Sequence, residues 1–173
     1  YERAIVLVER VARTMIFTGR VNDLRNWLEA LPVESFETHI FLKIYRTWID
    51  LLQGKMDLSE PALSKMETML RSLPPSPDNN TLLKEMIVIL SHWVALAGNT
   101  TRAIHLSQEA LDFLPEGDLA SRARVFSALA IAYGSEGDVE KADGTFRECL
   151  RLAYASANYT LAAHTLMRGG IWL

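Results

Sequence analysis

Residues 126–149 read FSALAIAYGSEGDVEKADGTFREC, and the spacing of apolar and small residues on either side of Gly137 decides the fold. Phe126, Leu129 and Tyr133 stand eleven, eight and four residues before the glycine. Ala142, Phe146 and Cys149 stand five, nine and twelve after it. Steps of three and four place each set on one helix face, whereas a strand would alternate by two. A glycine between two such faces suits a helix C-terminus, because its tolerance of positive φ lets the chain reverse. Asp138, directly after it, is a preferred N-cap for the second helix. Ala142 is small where the two helices approach closely, and a larger side chain there would force them apart. The stretch therefore predicts a helix hairpin.

The pattern recurs along the chain. Gly19, Gly54 and Gly98 each follow an apolar helical stripe and precede a polar cap, namely Asn22 or Asp23, Asp57, and Asn99 or Thr100. The four glycines are 35, 44 and 39 residues apart. Around Gly98 the same offsets give Ile87, Leu90 and Val94 before it, then Ala103, Ser107 and Ala110 after it. A period of this size marks stacked helix hairpins. The positions resemble those of a tetratricopeptide repeat, with bulky residues on the first helix and small ones on the second. The repeats are degenerate: Leu24 stands where a small residue is usual, and the spacing exceeds the usual ~34 residues.

The expected fold is all-α, a tetratricopeptide-like superhelix of helix hairpins, with residues 1–173 forming a single repeat domain cut from a longer chain. Nine helices are predicted, at about 3–18, 22–31, 37–53, 59–72, 80–97, 100–113, 119–135, 139–155 and 159–171. Ser59-Glu60-Pro61 is read as the cap and first turn of the fourth. Met86 to Leu90 looks strand-like, but it lies inside a longer helical pattern and is read as buried helix. Pro74-Pro75-Ser76-Pro77-Asp78 is read as a loop that excludes helix. The chain starts at Tyr1 and stops on apolar Ile171-Trp172-Leu173, so both ends read as cuts.

Composition narrows the function classes. Of 173 residues, 49% are apolar and 23% charged, too apolar for a disordered chain. A net charge of −3 argues against nucleic-acid binding by phosphate neutralisation alone. One cysteine, Cys149, excludes an internal disulfide and suits a reducing compartment. The sequons beginning at Asn79, Asn99 and Asn158 fall at helix starts, where Asn is an ordinary cap. No apolar run approaches the ~18 residues that cross a membrane.

A more specific resemblance lies in Gly19-Arg20-Val21-Asn22-Asp23-Leu24-Arg25-Asn26-Trp27-Leu28-Glu29-Ala30-Leu31-Pro32. It resembles a signature of the large, ATP-binding, maltose-activator-like LuxR-family transcriptional regulators, in which a helix ending in Gly precedes a Trp-Leu-Glu-Ala-Leu-Pro string. Thr47-Trp48 stands where Ala-Trp is usual in the next helix, and Ile40 stands where Pro would follow His39. Residues 103–111 and 153–158 are similar to the family as well. The resemblance implies the helical sensor region of such a regulator: cytoplasmic, without a cofactor or enzymatic activity of its own. It would bind a small-molecule inducer or a partner protein and favour a self-associating, promoter-activating form. DNA and ATP would be handled by other domains of the parent chain. The competing reading is a protein–protein adaptor that takes an extended peptide in the same groove.

The sequence carries no chemistry of its own that points to an enzyme. It has no Gly-x-x-x-x-Gly-Lys-Ser/Thr loop, no Gly-x-Ser-x-Gly and no His-Glu-x-x-His. Its four histidines are scattered, and Cys149 occupies a small-residue packing position rather than an exposed cationic setting. In a tetratricopeptide hairpin the first helix lines the concave groove. The glycine offsets then place Arg13 beside Glu9 on the first helix. They place Lys43, Thr47 and Asp50 on the next groove-lining helix, Glu85 and His92 with Val88 on another, and Arg124 and Ser127 with Ile131 on the last. These are the candidate ligand-binding residues, because charges, hydroxyls and one imidazole suit a polar ligand. Trp48 and Trp93 fit inter-helix packing better than ligand stacking. No metal ligand set and no catalytic residue is assigned.

Overall fold

The computed structural model describes residues 1–169, and among them there are ten α-helices and no strand. The expected apolar end at Ile171, Trp172 and Leu173 lies outside the described residues. The helices are α1 (Glu2–Phe17), α2 (Val21–Glu29), α3 (Val33–Thr38), α4 (Ile40–Leu52), α5 (Met56–Ser72), α6 (Pro77–Leu96), α7 (Thr100–Phe113), α8 (Leu119–Glu136), α9 (Val139–Ala155) and α10 (Tyr159–Gly169). The chain divides into two compact units, Tyr1–Met66 and Glu67–Leu173.

Five junctions share one backbone device. Gly19, Gly54, Gly98 and Gly137 have φ between 76° and 83°, and Ala157 has φ 54°. At each junction the N–H of the next residue donates to the carbonyl five residues back: Arg20 to Met15, Lys55 to Asp50, Asn99 to Val94, Asp138 to Tyr133 and Asn158 to Ala153, at 2.7–3.1 Å. At Gly19, Gly98, Gly137 and Ala157 the left-handed residue's own N–H also reaches the carbonyl three back. This pair of bonds is the Schellman motif, which satisfies carbonyls that a helix end leaves open. Three of the following residues then cap the next helix. The side-chain oxygens of Asn99, Asp138 and Asn158 accept from the N–H groups of Arg102, Lys141 and Leu161 at 3.4, 3.1 and 3.1 Å.

Several predicted boundaries move for physical reasons. The cap after Gly19 is Arg20, without a side-chain cap bond, rather than Asn22 or Asp23; its Nε instead donates to Asp23 at 2.9 Å. The expected helix 37–53 is two helices, because His39 is extended at φ −118° and ψ 97°. Phe36 and Phe41 flank that break and both are buried. Five residues apart, they would sit about 140° apart around an unbroken helix. α5 begins at Met56, so Asp57 lies inside it and Pro61 is an interior residue rather than part of the first turn. Pro77 is not in a loop but opens α6. Ser76 Oγ accepts from Asn79 N at 3.1 Å, and Pro suits the first helical position because its missing N–H would have no partner there. Asn79 is therefore no cap; its Nδ2 donates to the Leu70 carbonyl at 3.2 Å.

In the first unit α1 packs on α2 and α4, and both α2 and α3 pack on α4. Ile5, Val8, Ala12, Met15 and Ile16 of α1, Leu24 and Leu28 of α2, and Leu42, Ile44 and Trp48 of α4 are buried. In the second unit each of α6 to α9 packs on the next helix, and α6 also packs on α8. Having neighbours on two sides explains the run Met86–Leu90, every member of which is buried within α6. Ala103 and Ala142 are buried as their spacing requires. On the outside, Arg71 reaches Glu67 at 2.8 Å and Glu109 at 3.0 Å, and Arg102 reaches Glu67 at 3.6 Å, which joins the end of α5 to α7. These side chains are partly solvated, so each pair contributes about 0–1 kcal/mol.

The left-handed junctions set a testable cost. A Cβ added at Gly137 would meet no atom within 4 Å, so Gly137→Ala is penalised by backbone conformation alone. It should destabilise the protein by about 1 kcal/mol. Ala157→Gly should do the reverse, stabilising by about 0.5–1 kcal/mol. Urea denaturation followed by far-UV circular dichroism measures both, and equal midpoints for all three proteins would show that the left-handed positions carry no such cost.

Candidate functional site

The sequence-predicted ligand residues fall into both units. In the first unit Arg13 is half-buried on α1. Three others share α4. Lys43 Nζ lies 3.3 Å from Glu37, and Asp50 lies 3.7 Å from Lys55. Thr47 is 6% exposed, and its hydroxyl donates to the Lys43 carbonyl at 2.8 Å. That bond to the preceding helical turn occupies the hydroxyl proton inside the helix. Trp48, its neighbour, is buried at 2% exposure, which makes it a packing residue of this unit.

In the second unit Glu85 and His92 are half-buried on α6, seven residues apart and so on one face. Trp93 is buried next to His92. Arg124 and Ser127 lie on α8, which packs against α6. They are more enclosed than the α6 pair, at 5% and 6% exposure. The structure thus places Glu85, His92, Arg124 and Ser127 on two contacting helices, with α6 presenting the more accessible polar side chains.

Arg124 and Ser127 belong to a buried polar cluster that the sequence pattern did not single out. Cys149 Sγ on α9 is 3.4 Å from Thr165 Oγ1 on α10, and Ser127 also hydrogen-bonds the thiol. Apolar Ala123, Leu152, Ala153, Leu161 and Ala162 surround the cysteine. Burial pushes the Arg124 guanidinium down to about 10, against a small opposing effect from Cys149. Burial pushes the Cys149 thiol up, against the hydrogen bond from Thr165, the charge of Arg124 and the hydrogen bond from Ser127. A fully buried thiol held neutral lacks the access and the thiolate character that nucleophilic cysteines need. Thr165 had no signal in the sequence, because its partner is sixteen residues away on another helix. Among the described residues no three His, Cys, Asp or Glu side chains gather as a metal site would require. No described helix is long and apolar enough to cross a membrane.

No family model, no curated protein and no solved structure matches the chain.

The thiol makes the cluster measurable. A group whose folded pKa is raised supports the fold fully below its unfolded value, and that support is lost as pH rises through the folded value. Stability should therefore fall as pH climbs above the ordinary thiol range near ~8.5. Cys149→Ser should show a shallower fall between about pH 8 and 10. In the native protein Cys149 should react with Ellman's reagent only on unfolding. Prompt labelling of the folded protein would show the thiol to be accessible and refute this account.

Proposed function

We propose that this chain is the effector-sensing and protein-interaction region of a LuxR-type transcriptional regulator, with its hairpins arranged as a tetratricopeptide-like superhelix. In this reading the protein acts in the cytoplasm and is not an enzyme. It needs no cofactor and takes a small inducer or a partner protein against the face of α6 that carries Glu85 and His92. DNA and ATP are engaged by other domains of the parent chain, and effector binding favours self-association. A ligand achieves this by binding one arrangement of stacked helices better than another, which shifts the population toward it.

One observation carries the reading. The string Trp27-Leu28-Glu29-Ala30-Leu31-Pro32 follows a helix that ends at left-handed Gly19, in the order the regulator signature has. It closes α2 with Leu28 and Leu31 buried, and Pro32 caps α3. The recurrence of the left-handed glycine at Gly54, Gly98 and Gly137 supports a repeat of hairpins.

The gene on either side of this segment tests the reading directly. A Gly-x-x-x-x-Gly-Lys-Ser/Thr loop upstream and a helix-turn-helix downstream are expected. Flanks that carry neither, or a catalytic domain in their place, overturn it.

The proposed face has its own test. Once a metabolite screen by thermal shift identifies an effector, Glu85→Lys and His92→Glu should each weaken its binding by about tenfold or more, with far-UV circular dichroism unchanged. Unchanged affinity in both variants would remove these residues from the site. Saturable binding of an extended peptide with no small-molecule effector would favour the adaptor.

A further inference from the structure

We draw no further inference here: the strongest candidate, the exposed apolar face that Tyr159, Leu166 and Met167 form on α10 beside Tyr154 of α9, carries nothing because no observation in the structure shows what covers it.

Discussion

The backbone N–H of the residue that follows each left-handed position donates to the carbonyl five residues back. At Asn99, Asp138 and Asn158 the same residue accepts a hydrogen bond from the first turn of the next helix. One residue thereby serves two helix ends that would otherwise leave backbone groups without partners. Because the left-handed residue and the cap are adjacent, nothing remains of a loop, and the second helix must start where the first stops. The direction of that second helix is then set by backbone dihedrals and not by a flexible connection. The packing of α6 on α7, α8 on α9 and α9 on α10 depends on these reversals.

Given those reversals, side-chain size decides how closely the helices approach. Ala103, Ala110, Ala142 and Ala153 are buried where facing helices meet, and larger residues fill the spaces between. α6 is buried on most of its circumference because it has both its hairpin partner α7 and the next first helix α8 as neighbours. α9 instead keeps a charged outer side. Arg147 reaches Asp143 and Arg151 reaches Glu148 within single helical turns, at 2.8 and 2.7 Å. These exposed pairs add little stability but keep that face in water.

Polar groups inside the second unit follow a different logic. A thiol, two hydroxyls and a guanidinium meet where α8, α9 and α10 converge. Each is costly to remove from water, and the hydrogen bonds among them offset part of that cost. Such a cluster constrains which face of α10 turns inward, since Thr165 can meet the Cys149 thiol in one orientation only. The half-buried Glu85 and His92 on α6 stay closer to solvent than Arg124 does.

Much of the fold was legible in the residues alone because helix periodicity and glycine punctuation are local. The four glycines announced their own left-handed conformation, and the buried run Met86–Leu90 was assigned to a helix by the length of the pattern around it. Ala157 was not legible, since nothing in an alanine signals positive φ. His39 likewise breaks a helix that its neighbours' propensities would continue, and Pro77 begins one in a segment that reads as loop. The candidate site divides in the same way. Sequence offsets assigned Glu85, His92, Arg124 and Ser127 to helix faces, because a helix face is a local property. Their different depths, and the meeting of Ser127, Cys149 and Thr165, were decided by tertiary structure alone. Burial depends on which helices lie opposite, and no spacing along one helix records that.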